Sequence, residues 1–354
     1  MVLLKKIFSF LLCLTFIFSL AGCSEKNELT KDGYYKKLNV YNWGDYIDPQ
    51  VLKDFEKEYG IKVNYEEYGN NEEMLAKIQA GGTGYDVIFP SEYMIEAMIN
   101  QNLLQELDMN NLNNFKNIGE EFKNLEYDKE NKYSVPYFWG TMGVVYNTKK
   151  VDTKIDSWNA LWDPKYKGDI LMLNSSRDTI GITLKKLGYS LNTRNLDELE
   201  DAKKALIDQK SLVKAYEVDT YKDMMIAGEG AMALTWSGDA MMLIEENPDL
   251  AYAIPKEGTN LWFDGMAIPV TSKHKKEAEL FINYMMRPDV SAKCAEYIGY
   301  STPNKEAIKL LPEEVRENEL AYPKGDILKN GEVFTDLGEF TTEYDRVWTE
   351  IKSY

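Results

Sequence analysis

KLNVYNWGDYIDPQVLKDFEKEYGIKVNYEEY, residues 37–68, predicts a β-strand, an α-helix and a second β-strand in succession. The apolar run 38–41 is typical of a strand. Apolar residues then recur at helical spacing over 51–59, and Gly60 ends that helix. In 61–65 apolar and polar residues alternate, which predicts the next strand. A strand–helix–strand order of this kind favours a parallel sheet with a crossover helix.

The same order continues for one more step. Helical spacing over 74–78 stops at Gly81-Gly82, and 85–89 is a short apolar strand that Pro90 interrupts. Ser91 is then a suitable N-cap for a helix that runs through 98. The result is a βαβαβ unit, for which we expect a doubly wound parallel sheet. Ligands of such sheets bind at the carboxyl ends of the strands.

Strands and helices alternate again beyond residue 140. The predicted strands are 143–146, 169–173, 212–218, 231–235, 251–254 and 266–270, and the predicted helices are 178–187, 196–209, 221–226, 239–246 and, in pieces, 275–300. No internal repeat or low-complexity segment interrupts the pattern. The sequence therefore predicts an α/β protein of two lobes.

The amino terminus has the features of an export signal. Two lysines, Lys5 and Lys6, precede the largely apolar run 7–20, and Leu20-Ala21-Gly22-Cys23 resembles a bacterial lipobox. We expect residues 1–22 to be a signal peptide, Cys23 to carry a lipid, and 23–36 to form a tether. An ordinary signal with a chance cysteine is the alternative.

The cysteine count agrees with this interpretation. Cys13 lies in the signal and Cys23 would carry the lipid, so Cys294 alone remains in the mature chain and no internal disulfide is possible. We therefore expect a soluble body held by its lipidated cysteine at the outer face of the cytoplasmic membrane.

Charge and residue types exclude several classes of function. The formal net charge is -17, so a phosphate backbone would repel the protein and nucleic-acid binding is not expected. The single histidine, His274, lies in a basic turn, and the sequence has no histidine–cysteine cluster and no phosphate-binding glycine loop. We expect no catalytic residues, no metal and no cofactor. A carboxylate-pair hydrolase remains as a rival.

Aromatic rings accompany carboxylates where predicted strands end or meet. This occurs in the segments 41–46, 90–93, 235–239 and 262–264. An organic ammonium needs both residue types, because a carboxylate accepts its charge-assisted hydrogen bonds and a ring face attracts the cation. Rings also cover the methylenes of an aliphatic amine. Rings that only fill the core, or that stack on a sugar, are the alternatives.

These segments resemble the spermidine/putrescine-binding proteins, the capturing subunits of ABC-type polyamine importers. The likeness runs from about residue 37 to the end of the chain. It rests on the order and spacing of short motifs: Tyr41-Asn42-Trp43 with Tyr46, Gly60-Ile61-Lys62-Val63, Tyr85-Asp86-Val87 with Pro90-Ser91, Val135-Pro136-Tyr137 with Trp139-Gly140, Ser157-Trp158 with Leu161-Trp162, Lys167-Gly168, Leu187-Gly188-Tyr189-Ser190, Trp262 with Asp264, Ala267-Ile268-Pro269, Arg287-Pro288-Asp289-Val290, Ile298-Gly299-Tyr300 and Thr302-Pro303-Asn304.

The resemblance implies a two-lobed, periplasmic-binding-protein-like (type II) α/β fold with the ligand in the cleft between the lobes. The first lobe would contain 37–140 and 265–305, and the second 141–264 and 306–354. It also implies a monomer that takes putrescine, spermidine or both and delivers them to the permease and ATPase subunits of an importer.

Carried over position by position, the resemblance implies a ligand-binding set in which Asp264 is the principal carboxylate for the amine. The full set is Trp43, Asp45, Tyr46, Ser91, Tyr93, Ser175, Asp178, Trp236, Asp239, Trp262, Asp264 and Tyr300.

Some positions depart from one subgroup of the family or the other. Ser175 stands where spermidine binders have an acid, and Asp178 is shorter than their usual glutamate. Asp45 and Asp239 look like the putrescine-binding type, and Phe334 falls where spermidine binders have a polar glutamine. These positions therefore do not decide between putrescine and the longer spermidine, and they slightly favour recognition of both amines. An oligosaccharide-binding lipoprotein is the nearest rival.

Overall fold

The structure is a computed structural model that describes residues 29–81 and 84–354. The predicted signal peptide and Cys23 lie outside these residues. The strands are β1 (Lys37–Trp43), β2 (Lys62–Tyr68), β3 (Val87–Ile88), β4 (Ser134–Asn147), β5 (Ile170–Leu173), β6 (Val213–Glu217), β7 (Met232–Trp236), β8 (Leu250–Ala253) and β9 (Leu261–Ala267).

Helices connect and flank these strands. They are α1 (Pro49–Tyr59), α2 (Asn71–Gln79), α3 (Glu92–Asn100), α4 (Ser176–Leu187), α5 (Leu196–Gln209), α6 (Thr220–Ile226), α7 (Ser237–Glu246), α8 (Lys275–Met285), α9 (Pro288–Ile298), α10 (Lys305–Ile308), α11 (Glu313–Arg316), α12 (Asp326–Asn330) and α13 (Thr341–Ser353). Short 3₁₀ turns lie at Met109–Asn111, Asn113–Asn117, Glu120–Phe122, Lys129–Asn131, Trp158–Trp162, Pro164–Tyr166, Lys210–Leu212 and Gly338–Phe340. Within the described ranges, every helix is too short or too polar to cross a bilayer.

One continuous sheet has the order β2-β1-β3-β9-β4-β7-β5-β6, with β8 also paired to β4. β1 is parallel to both β2 and β3, which confirms the parallel βαβαβ unit. The next neighbour, β9, is antiparallel to β3 and β4. The parallel arrangement expected for the βαβαβ unit therefore does not extend to β9, because this strand enters from a distant part of the chain and not through a crossover helix.

Strand β4 joins the two halves of the sheet. Its residues 134–141 pair with β9, whereas 142–146 pair with β7. The sequence predicted a strand only from Gly143, so the first half of β4 was missed. Almost the whole strand is buried, which removes the polar alternation that marks a half-exposed strand. Pro136 is tolerated beside an irregularity in the pairing register.

Beyond β4, strand β5 runs parallel to both β7 and β6. The predicted lobe boundaries, 140/141 and 264/265, fall inside β4 and β9. They remain a prediction.

Local signals explain the helix ends. Asp48 caps α1 by accepting the Gln50 backbone N–H at 2.7 Å, and Gly60 ends it in left-handed backbone. The terminal helix α13 packs against α4 and α5 around its own apolar cluster, which includes Leu184 and Tyr344. A larger apolar core runs along both faces of the rest of the sheet.

Candidate ligand-binding site

A cavity of about 160 Å³ lies where β1, β3, β7 and β9 approach the first turns of α3, α4 and α7. All twelve residues of the predicted ligand-binding set line this cavity. They come from sequence segments up to 257 positions apart, Trp43 to Tyr300, so the fold and not local sequence brings them together.

Most of these residues stand where the strand-end argument placed them. Trp43 is the last residue of β1, and Ser91 directly precedes α3. Trp236 closes β7. The segment 262–264 is different: it was expected between two extended segments but lies inside β9. Its pairing with β4 fixes Asp264 on rigid backbone, opposite Phe138.

Asp264 is a buried carboxylate with one oxygen still open. The Tyr46 hydroxyl donates to its Oδ2 at 2.6 Å. Its Oδ1 has no hydrogen-bond partner among the described residues, although the side chain is only 6% exposed. Burial raises the pKa of Asp264 to about 6, even though the nearby hydroxyls of Ser91 and Tyr46 act in the opposite direction. An open, buried carboxylate oxygen is a costly feature that a bound cation would relieve.

Asp178 is the second carboxyl whose pKa is raised to about 6, again because of burial. It lies in the first turn of α4 and accepts a 2.6 Å hydrogen bond from the Ser175 hydroxyl. Ser175 is the N-cap of that helix, so the serine both begins α4 and orients the carboxyl. The negative charge of Asp178 also raises the pKa of Asp264.

Asp239 is held by two tyrosines. Tyr300 donates to its Oδ1 at 2.7 Å and Tyr221 donates to its Oδ2 at 2.6 Å. Gly238 allows this approach, because a Cβ there would lie 1.6 Å from the Tyr300 ring. Asp239 therefore already has a hydroxyl donor on each oxygen.

Aromatic rings form the walls. Trp43 donates its indole N–H to the Phe89 carbonyl at 2.8 Å, which fixes the ring beside the cavity. Trp262 and Tyr300 meet edge to face at 5.2 Å between centroids, and Tyr46 meets Tyr300 in the same way at 5.5 Å. Trp236 is half-buried and also lines the cavity. Asp45 is exposed at the cavity edge in left-handed backbone, with φ of 50°.

Ser91 lines the cavity together with the rest of the predicted binding set, but its hydroxyl does not cap α3. It occupies the N-cap position of α3 but makes no side-chain capping bond. Its hydroxyl instead accepts a hydrogen bond from the Asn71 amide at 3.1 Å, and the same amide donates to the Tyr93 hydroxyl at 3.0 Å. Asn71 thus positions both predicted residues. Tyr93 in turn donates to Glu72 at 3.1 Å.

Several cavity residues were missed by the sequence reasoning. They are charged or polar groups without a motif of their own: Asn71, Glu72, Arg177, Asp219, Lys222 and Asn260. Arg177 is adjacent to a predicted site residue, and that proximity was the available signal. Its guanidinium lies 5.0 Å from the Tyr93 ring centroid and 4.6 Å from that of Phe334.

Glu92 is a buried acid at the base of the site. It is 0% exposed and accepts the Phe263 backbone N–H at 2.9 Å. Burial, followed by the charge of Asp264, raises the pKa of this carboxyl well above its ordinary range, whereas the Phe263 N–H acts in the opposite direction.

Negative charge dominates the cavity. Seven carboxyl side chains line it against two cationic ones, Arg177 and Lys222. Among the residues that the structure describes, no group of three or more histidine, cysteine or acidic side chains is arranged to hold a metal ion. The arrangement combines acids with rings and so suits an organic cation.

Residues 50–323 match the family model for a bacterial extracellular solute-binding protein. The chain belongs to this family. The spermidine/putrescine-binding periplasmic protein of Escherichia coli (strain K12) is 37% identical over 318 residues, which are 89% of this chain and 91% of that protein. The resemblance stated from the sequence motifs is confirmed.

Two solved structures share the fold over nearly the whole chain. One, from Listeria monocytogenes, is described as a spermidine/putrescine ABC transporter; it is 45% identical, with a TM-score of 0.88 over 90% of this chain and 99% of that one. The other is the spermidine/putrescine ABC transporter substrate-binding protein PotD of Streptococcus pneumoniae, 43% identical with a TM-score of 0.79 over the same shares. The predicted α/β solute-binding fold is confirmed.

Proposed function

We propose that this solute-binding protein captures polyamines, putrescine or spermidine or both, and delivers them to the permease of an ABC importer. The names of its relatives and the chemistry of the cavity support the same ligand class. The twelve predicted residues would be its binding set.

The observation that carries the proposal is the open Oδ1 of buried Asp264 inside an aromatic cavity. A primary ammonium placed there would supply the missing donor and the missing counter-charge. Its methylenes would lie against Trp43, Trp236 and Trp262, at about 0.8 kcal/mol for each methylene removed from water.

A neutral sugar would stack on the rings but leave the excess negative charge of the carboxyl groups uncompensated, so the charge of the cavity argues against the oligosaccharide rival.

The hydrolase rival is supported by no feature as specific as the polyamine-type cavity, and we propose that the protein binds its ligand without chemical change. Release of amine or sugar products by the purified protein would reverse that view.

Calorimetric titration of the mature protein tests the proposed ligand class. We expect putrescine or spermidine to bind with a Kd of micromolar or below, which corresponds to about -8 kcal/mol or better. Two charge-assisted anchors with ring burial are sufficient for this value. A neutral oligosaccharide at the same concentration is the control. Saturable sugar binding without amine binding would overturn the proposal.

Contacts across the cavity support the proposal that ligand capture is coupled to closure of the predicted lobes. Tyr300 meets Asp239, and Arg177 lies over the Tyr93 ring, in each case from opposite sides of the boundaries proposed above. A ligand that contacts both sides would stabilise the closed form by its additional contacts. The closed form would then dock on the permease.

We further propose that Cys23 anchors the protein, as a monomer, to the outer face of the cytoplasmic membrane. The lipobox order of residues supports the anchor, and membership of an extracellular family supports export. We expect Cys23→Ser to lose metabolic labelling by palmitate and to appear in the soluble fraction, whereas Cys294→Ser keeps the label. A labelled Cys23→Ser protein would exclude this anchor. Light scattering of the mature protein tests the monomer.

A further inference from the structure

One buried side chain joins the start of α3 to the strand that carries Asp264. Glu92, the first residue of α3, is 0% exposed and accepts the Phe263 backbone N–H through Oε2 at 2.9 Å. The Gly265 backbone N–H donates to the Pro90 carbonyl at 3.0 Å. The two residues that flank Asp264 in β9 are therefore both hydrogen-bonded to residues at or just before the start of α3.

The neighbouring strands do not hold this part of β9 by a regular ladder. On one side, β3 ends at Ile88 and does not extend along residues 263–265. On the other side, the register of the pairing with β4 shifts between Pro136 and Phe138. A buried N–H without an acceptor costs free energy, and the Glu92 side chain supplies the acceptor that a longer β3 would have supplied.

The same carboxyl group is only half satisfied. Its Oε1 has no hydrogen-bond partner among the described residues, and Glu92 lines the same cavity as Asp264. A buried carboxyl group with one unpaired oxygen lowers the stability of the fold. Features of this kind are typical of functional sites, where local stability is given up for the geometry of the site.

We propose that Glu92 is a positioning residue for the polyamine anchor. By accepting the Phe263 N–H, it fixes the β9 backbone beside Asp264 and so holds the Asp264 carboxylate where the ligand ammonium binds. The inference rests on the proposed polyamine function. A binding group must be held within about 0.5 Å of its productive position by the residues that support it, and Glu92 supplies that support for Asp264.

Two substitutions test this role. Glu92→Gln keeps an oxygen that can accept the Phe263 N–H, whereas Glu92→Leu removes the acceptor and keeps a side chain of similar size. Glu92→Met serves the same purpose if thermal unfolding shows that Glu92→Leu does not fold. Calorimetry measures the Kd of putrescine and of spermidine. Glu279→Leu is the matched control, because Glu279 is 2% exposed, accepts the Asp108 N–H at 2.8 Å and lies outside the cavity lining.

We expect Glu92→Leu to bind both amines about tenfold more weakly than the wild type, because its anchor is less well placed. Glu92→Gln should bind within about threefold of the wild type, since it keeps the supporting hydrogen bond. Glu279→Leu should unfold at a lower temperature and also keep its Kd within about threefold. Wild-type-like binding by Glu92→Leu, or an equal loss in Glu92→Gln, would overturn the inference.

A double-mutant cycle shows whether Glu92 acts through Asp264. In the Asp264→Asn background the anchor charge is already absent, so Glu92→Leu should change the Kd by less than about threefold. A further tenfold loss in that background would mean that Glu92 acts independently of Asp264, and the inference would be wrong while the polyamine function stands. Failure of the wild-type protein to bind either amine would instead remove the proposed function.

Discussion

Asp264→Asn is expected to weaken polyamine binding about 100-fold. The substitution keeps the size of the side chain and its place in β9 but removes the charge that would face the ligand ammonium. Loss of one partner from a buried ion pair costs about 3 kcal/mol or more, which is a factor of about 100 in Kd. Calorimetric titration of the variant with putrescine and spermidine measures the loss directly.

The stability of the ligand-free variant separates this effect from misfolding. In the folded protein the pKa of Asp264 is raised from 3.8 to about 6, so the carboxyl binds its proton more tightly when folded than when unfolded. Its contribution to stability is therefore present below about pH 4 and is lost as the pH rises through 6. At pH 7 the ionised group costs the fold up to about 3 kcal/mol.

We therefore expect empty Asp264→Asn to unfold at a higher temperature than the wild type at pH 7 while it binds polyamine less well. Tyr46→Phe is the matched control, because it removes the hydroxyl donor to Asp264 and keeps the charge. It should bind far more tightly than Asp264→Asn. If Asp264→Asn titrates like the wild type, the carboxyl is not the amine anchor.

The sequence was sufficient for those elements whose signals are local. Helix α4 begins at a capping serine and ends at Gly188 in left-handed backbone, and its predicted bounds differ from the observed ones by two residues at the start. β1, β2 and β3 show the apolar runs and turn residues that the strand prediction used. Their parallel pairing followed from the helices between them.

Other features could not be predicted because their causes are distant in sequence. The first half of β4 is buried on both faces, so it lacks the alternation that marks a strand. β9 becomes the antiparallel partner of β3 and β4 through pairing with residues more than 100 positions earlier in the chain. Residues such as Asn71 and Lys222 carry no motif, and their place in the cavity emerges only when α2 and α6 are packed.

Acid should weaken polyamine binding steeply, because two carboxyls that line the cavity, Asp178 and Asp264, have pKa values raised to about 6. Alkyl ammonium groups, with pKa values near 10, stay charged throughout this range. Binding therefore needs both carboxylates ionised, and below pH 6 each must release a proton to the solvent when the ligand enters.

Each of these groups contributes a factor of about 10 between pH 7.5 and pH 5, so the Kd is expected to rise about 100-fold over that interval. Titrations at constant ionic strength measure this rise. Asp178→Asn removes one of the two titrating carboxyls and should reduce the rise in Kd to about tenfold. A substitution outside the cavity, such as Lys214→Met, should leave the rise in Kd unchanged. An affinity that is flat from pH 7.5 to 5 would mean that neither carboxyl loses a proton to the ligand, and the ammonium would then have to be recognised by the rings alone.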